Sequence, residues 1–306
     1  MNTHTNPCTS AVTRGPMRTM QLVLGLCKLR IGVMIMITAL VGLLVTPGPT
    51  PAAIQVVVTA LSVLLASASA GAFNQYFEHE SDRLMARTRT RAFVTGELPH
   101  TAVWLLPIGA LLLLAVAIAW WLVNGMTALF VFLGAFFYGV VYTVWLKQRS
   151  AMNIVIGGLA GSFAVLAGSA AVDPAVDPFP GALPLTLAAV LFLWTPPHFW
   201  SLAIANRDEY AAAGVPMLPV VVGDARAAHI VFASTAALVA VSLLPAMLGA
   251  GLIYLGGALL GGAYFLYKSW LLARSPDRGT AMGSFFASLV QLSLLLAGAS
   301  IDSWIS

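Results

Sequence analysis

The chain has 306 residues, 59% of them hydrophobic and only 8% charged, with a formal net charge of +4. Soluble domains carry about 25% charged residues, so this composition, with a mean hydropathy of +0.91, excludes a water-exposed globule and makes the bilayer the main solvent. The cysteines, Cys8 and Cys27, fit neither a disulfide framework nor a CxxC metal knuckle. No nucleic-acid partner is expected.

Residues 1–18 are polar, carry Pro7, Arg14, Pro16 and Arg18, and predict a short disordered tail. They do not predict a cleavable leader, because no small-residue cleavage site follows a compact apolar stretch. Residues 19–306 predict a single transmembrane domain. A membrane helix needs roughly 20 mostly apolar residues. Nine stretches qualify, near 30–47, 52–73, 101–122, 125–146, 152–172, 181–203, 227–248, 250–270 and 281–302. Lys28 and Arg30 confine the first, so eight spans after an interfacial helix over Gln21–Cys27 is the alternative. Turns are expected at the proline-rich 47–51, at Asn124-Gly125 and from Asp173 to Pro180. The fold class is therefore all-α, a polytopic membrane helix bundle.

With nine spans, one side of the membrane receives the N-terminus and loops 2–3, 4–5, 6–7 and 8–9. That side holds all 15 Lys and Arg residues, while the other holds Asp173, Asp177 and Asp302 and no basic residue. Basic loops stay in the cytoplasm, so the N-terminus and these loops are expected there.

The second span runs into Asn74, Glu78 and Asp82, each four residues after the last. On a continuing helix this spacing stacks three oxygen-bearing side chains on one face. Mg²⁺ takes such oxygens while sharing the rest of its shell with phosphates and water. Arg83, Arg87, Arg89 and Arg91 follow at once, and the guanidinium fork matches phosphate oxygens two at a time. A solvated loop that supplies only the positive-inside signal is the plain alternative; the register meeting a basic cluster at a helix end favours a site. His79 and His100 have no ligand-like spacing.

Farther on, Phe192-Leu-Trp194-Thr-Pro196-Pro197-His198-Phe199-Trp200 places tandem prolines inside a span. They interrupt the backbone ladder, which is tolerated where the chain lines a cavity or is packed in protein. His198 follows directly, some two to three turns before a second acidic patch, Asp208-Glu209-Tyr210. Gly157, Gly158 and Gly161 lie in an apolar span without a preceding strand, and read as helix-contact residues rather than a phosphate loop.

Asn74-x₃-Glu78-x₃-Asp82 with the following arginines resembles the first aspartate-rich motif of the UbiA-type membrane prenyltransferases. Tyr142-Thr-x-Trp-Leu-Lys147, Asn153 through Gly161, Trp194 through Trp200 and Gly214-Val-Pro-Met-Leu-Pro219 are similar, more narrowly, to the heme o synthase branch of that family. Two departures stand out. Glu78 replaces the usual Asp, keeping charge but reaching farther, and Ala212 stands where quinone-type relatives place another Asp after Asp208.

The resemblance implies a bundle of about nine helices that moves the farnesyl group of farnesyl diphosphate onto a vinyl group of protoheme IX (heme B). Heme is here a substrate, and Mg²⁺ the cofactor. It implies Mg²⁺ on Asn74, Glu78 and Asp82, with diphosphate contacts from Arg83, Arg87, Arg91 and Lys147, of which Arg87 and Arg91 are the preferred pair. It makes His198 a candidate ligand to heme iron; packing within an aromatic belt is the alternative. Tyr76 and Tyr142 either line the cavity or fill helix contacts, and Trp194 reads as packing. A cell-membrane location among lipid and a downstream heme A synthase partner are further implications. An aromatic-ring prenyltransferase and a transporter are the rival functions; against the latter stand the absence of an internal repeat and charges at one membrane face.

Overall fold

The computed structural model describes residues 16–172 and 180–305, so the expected turn over 173–179 and the tail as far as residue 15 lie outside it. Pro16 to Arg18, assigned above to the tail, already belong to the first helix. The regular elements of the described residues are all helices, with no strand among them.

Helix α1 (Pro16–Leu26) meets α2 (Leu29–Leu44) at a 50° bend. Then come α3 (Ala53–Phe77) and the short α4 (His79–Arg83). A 3₁₀ turn, Ala102–Trp104, opens α5 (Leu105–Leu122), and α6 (Gly125–Phe136) passes into a π-helical segment, Phe137–Leu146. Helices α7 (Asn153–Gly157), α8 (Leu159–Ser169) and α9 (Ala182–Ala205) follow. Two short helices, α10 (Arg207–Ala212) and α11 (Leu218–Val222), lead to α12 (Asp224–Ser242) and α13 (Leu244–Met247). The chain closes with α14 (Leu252–Arg274) and α15 (Arg278–Ile305).

Each of the nine expected stretches is occupied by helix, but length and composition do not confirm nine spans. Among the described residues six helices are long and apolar enough to cross a membrane, or seven with the bent α1–α2 pair as one span. Asn153–Ser169 falls short in length. In α14, glycines, tyrosines and Lys268 dilute an otherwise sufficient helix.

The helices pack as two groups. α2, α3, α5, α6 and α8 contact one another around small residues such as Ala39, Ala66, Ala70, Ala115 and Ala167, which let backbones approach. α9, α12, α14 and α15 surround a larger-grained core with Leu191, Leu238, Tyr254 and Phe265. Contacts of α8 with α9 and of α2 with α15 join the groups. Asn124 caps α6 by accepting from Thr127 N–H at 2.8 Å, and its amide donates to Ala170 C=O at 2.7 Å, tying the start of α6 to the end of α8.

The tandem prolines do not end α9, which continues through Pro196 and Pro197 to Ala205. Nearby hydroxyls turn back onto the helix: Thr195 donates to Leu191 C=O and Ser201 to Pro197 C=O. A Cβ on Gly157 or Gly158 would press on Tyr142 or Thr195, whereas Gly161 faces open space.

Candidate active site

The site forms where α3 ends. Helix α3 stops at Phe77 and α4 starts at His79, yet Glu78 N–H still bonds to Asn74 C=O at 3.0 Å and Asp82 N–H to Glu78 C=O at 2.9 Å. The four-residue register therefore survives the break, and all three side chains are buried, Glu78 at 4% exposure and Asp82 at 0%. Carboxylates this far from water need compensation.

Compensation comes from three cations, one per oxygen-bearing side chain. Lys147 Nζ lies 2.6 Å from Glu78 Oε2, Arg91 Nη1 lies 2.5 Å from Asp82 Oδ2, and Lys28 Nζ lies 2.6 Å from Asn74 Oδ1. The Asn74 amide also donates to Thr143 Oγ1 at 3.1 Å. Lys147 and Thr143 arrive together because the segment Phe137–Leu146 is wound in wide i→i+5 turns: Lys147 N–H bonds to Tyr142 C=O at 2.9 Å. The Thr143 hydroxyl donates to Tyr138 C=O, and Asn153 holds the far end by donating to Lys147 C=O.

Glu78 and Asp82 each keep one oxygen, Oε1 and Oδ1, buried and without a hydrogen-bond partner. Two orphaned carboxylate oxygens beside an amide oxygen form the hard donor set that Mg²⁺ prefers. Among the described residues no three His, Cys, Asp or Glu side chains converge as a metal cluster, so the amide of Asn74 is needed to complete the set.

The remaining candidates divide. Arg83 turns outward to Glu80 at 3.4 Å, and Arg87 and Arg89 are exposed, with Arg87 in electrostatic reach of Tyr142. Asp208 is exposed and Glu209 half-buried on α10, with Glu209 Oε2 unpartnered. Tyr210 is buried with Met85, Tyr142 and Trp200 in one apolar cluster, so the second patch packs against the residues that follow the first. Arg207 pairs with Asp224 at 3.2 Å and not with its acidic neighbours. Tyr76 packs edge-on against Phe93 and face-on against His100, which itself stacks on His79 at 3.5 Å between ring centres.

His198 stands on another wall, between α9 and α15. Its ring stacks on Trp194 at 4.1 Å and on Phe285 at 4.6 Å, and Nδ1 lies 2.7 Å from Ser288 Oγ. The Ser288 hydroxyl donates to Phe285 C=O at 2.6 Å, so it must accept from His198, and the hydrogen-bond network assigns the proton to Nδ1. The Nε2 lone pair is left for a ligand role. Trp194 Nε1 donates to Ser288 C=O at 2.8 Å, fixing the indole as packing.

Sequence reasoning gave Lys28 and Ser288 no place in the site, and met Thr143 and Asn153 only as members of the family-like stretches Tyr142–Lys147 and Asn153–Gly161. Lys28 carried a signal of its own, a cation flanking an apolar helix beside Arg30, which served merely to delimit the first span.

Residues 35–292 match the UbiA prenyltransferase family. The chain is 57% identical over 275 residues to protoheme IX farnesyltransferase 2 of Paramagnetospirillum magneticum, covering 90% of this chain and 94% of that protein. It is 40% identical over 287 residues to protoheme IX farnesyltransferase of Xylella fastidiosa strain Temecula1, covering 92% and 94%. Among solved structures, a digeranylgeranylglyceryl phosphate synthase superposes with a TM-score of 0.77 at 18% identity, covering 94% of this chain and 100% of that one. A UbiA homologue from Archaeoglobus fulgidus bound to DMAPP and Mg²⁺ gives 0.70 at 18% identity over 89% and 98%. At those identities the likeness is one of fold. With a family match that runs from α2 into α15, the chain belongs to the UbiA prenyltransferase family.

Proposed function

We propose that the protein is a protoheme IX farnesyltransferase, which joins the farnesyl group of farnesyl diphosphate to a vinyl group of protoheme IX, adds water, and releases heme O and diphosphate. The observation that carries this reading is the buried cluster of Asn74, Glu78 and Asp82 faced by Lys28, Lys147 and Arg91. The choice of heme over another acceptor is supported by the 57% identity to a protein of that name.

Asn74, Glu78 and Asp82 would hold Mg²⁺, which when bound supplies Lewis-acid stabilisation of the departing diphosphate. Lys147 and Arg91, now held by the carboxylates, are within the same cluster as the phosphates they would grip, and exposed Arg87 and Arg83 guard the entrance. Charge that grows on the diphosphate oxygens as the carbon–oxygen bond breaks thus meets preorganised cations in a poorly hydrated place. The diphosphate leaves with the bonding electron pair. The vinyl π electrons of heme then form the new bond to the allylic carbon, and the cation left on the vinyl group takes up water and loses a proton, giving the hydroxyethylfarnesyl substituent. His198, with Nδ1 held by Ser288, offers Nε2 to heme iron and so orients the macrocycle. The second patch, Asp208, Glu209 and Tyr210, closes the cytoplasmic mouth through Tyr210. The excess of basic residues in the loops supports a cytoplasmic N-terminus and an inner-membrane location, and a heme A synthase would receive the product.

A heme profile tests the reading. Membranes carrying the protein receive protoheme IX, farnesyl diphosphate and Mg²⁺, and extracted hemes are weighed by mass spectrometry. Hydroxyethylfarnesyl heme should appear, and should vanish in Asn74→Ala. Unmodified heme beside a prenylated aromatic acid would leave the metal cluster standing and remove the heme assignment.

A further inference from the structure

Lys28 lies where the first span breaks, and the break is built around it. Its backbone is left-handed, with φ 47° and ψ 43°, a conformation that side chains other than glycine rarely adopt. One face of α3 supports that conformation. The Gln75 amide donates to Gly25 C=O and Leu26 C=O at 3.0 and 3.1 Å, satisfying the carbonyls at the end of α1. Gly71, one turn earlier, lies against the lysine stem, where even a Cβ would make ordinary contact at 3.5 Å with Cβ and Cδ of Lys28. The result is an ammonium carried to 2.6 Å from Asn74 Oδ1 and 3.3 Å from the Tyr138 hydroxyl.

The three cations of the cluster are not equivalent. Lys147 and Arg91 each face a carboxylate, whereas both partners of Lys28 are neutral. A half-buried ammonium with neutral partners is the one least compensated and most drawn to an arriving anion. The oxygen it occupies is also one that a divalent ion on Glu78 and Asp82 would need. The Asn74 oxygen has two lone pairs, but an ammonium 2.6 Å from it sets a positive charge beside the place a divalent ion would take, so metal at this site and Lys28 on Asn74 oppose each other.

We propose that Lys28 is a diphosphate ligand of the site that gives up the Asn74 oxygen to the metal and turns to the phosphate, making metal and diphosphate binding cooperative. This rests on the metal–diphosphate reading above. It adds to that reading a residue from the first span, and predicts opposite effects on the two ligands. Coupling between ligands of one protein runs typically about 5–150-fold, and the lower half of that range is expected here.

The test uses the full chain purified in detergent micelles and isothermal titration calorimetry with two probes, Mg²⁺ alone and inorganic pyrophosphate at saturating Mg²⁺. Lys28→Met should bind Mg²⁺ alone several-fold more tightly and pyrophosphate roughly tenfold more weakly than the unaltered protein. Lys28→Gly, which suits the left-handed backbone, should behave the same way and guards against a folding defect in the first variant. If both variants leave Mg²⁺ affinity unchanged or weaker, or leave pyrophosphate affinity intact, Lys28 is not the shared cation and the inference falls while the metal site stands. If the unaltered protein binds neither probe more tightly than Asn74→Ala does, the metal–diphosphate reading itself falls, and Lys28 with it.

Discussion

Glu78 and Asp82 present a common physical problem, an anion held out of water, and solve it by halves: one oxygen meets a cation and the other meets nothing. Removing one partner of such a buried pair typically costs about 3–5 kcal/mol, so Lys147 and Arg91 stabilise the fold as well as facing the site. His198 shows the same division of labour with a different partner. Ser288 fixes the tautomer by accepting from Nδ1 while donating to Phe285 C=O. Ser288→Ala removes that acceptor without touching Nε2. Loss of an outer hydrogen bond to a metal-ligating histidine typically lowers affinity about 10–100-fold, and heme titrated into membranes should show a fall of that order in the Soret band shift. An unchanged titration would return His198 to the aromatic packing between Trp194 and Phe285.

Elements here are defined as much by what interrupts them as by their apolar runs. The register of Asn74, Glu78 and Asp82 was legible because four-residue spacing is local and survives the α3–α4 break through two backbone hydrogen bonds. The bend before α2 was legible only as the alternative of an interfacial helix over Gln21–Cys27, because no glycine or proline occurs at Cys27-Lys28 to fix it. The start of α15 offers a direct test of an element boundary. Asp277 Oδ1 accepts from Thr280 N–H at 2.9 Å and Oδ2 from the Ser275 hydroxyl at 3.2 Å, so it caps the helix. The Thr280 backbone N–H, helped by Ser275, holds its carboxyl below the usual carboxylate range. A lowered value in the folded state adds stability above the ordinary carboxylate range, lost as pH falls through the lowered value. Asp277→Asn keeps an acceptor but cannot titrate. The gap in melting temperature between the unaltered protein and this variant should be open near neutral pH and close as pH falls below the ordinary carboxylate range; a gap independent of pH would show that charge plays no part in the cap.

For the whole molecule, hydropathy revealed the bundle, but not how many helices are long and apolar enough to cross. α8 is short, and α14 mixes glycine, tyrosine and lysine into an otherwise spanning helix. What no local pattern could reveal was the pairing of cations with the oxygen triad. Lys28 meets Asn74 across 46 residues and Lys147 meets Glu78 across 69, and only the packing of α2, α3 and the π-helical segment brings them together. Orientation is an expectation of the nine-span reading, which puts all 15 basic residues on one side. Single cysteines at Thr50 and Gln148, both exposed, on a background with Cys8 and Cys27 replaced by serine, should react with a membrane-impermeant thiol reagent from opposite sides: Thr50→Cys in intact cells, Gln148→Cys only after lysis. The reverse pattern would put the phosphate-binding mouth outside the cell.

The wide winding of Phe137–Leu146 has an arithmetic consequence. An ordinary α-helix advances about 100° per residue, so a chain with one residue fewer between Tyr138 and Lys147 could return to that winding, with a changed angle between Thr143 and Lys147. Deleting Val144 should therefore leave a well-formed span whose hydroxyl and ammonium no longer arrive together at Asn74 and Glu78. Circular dichroism and the quantity of protein in the membrane should change little, while farnesyl transfer should be lost. In that sense the active site depends on a surplus residue, a spacing error by the standards of a plain transmembrane helix and a deliberate length by the standards of its chemistry.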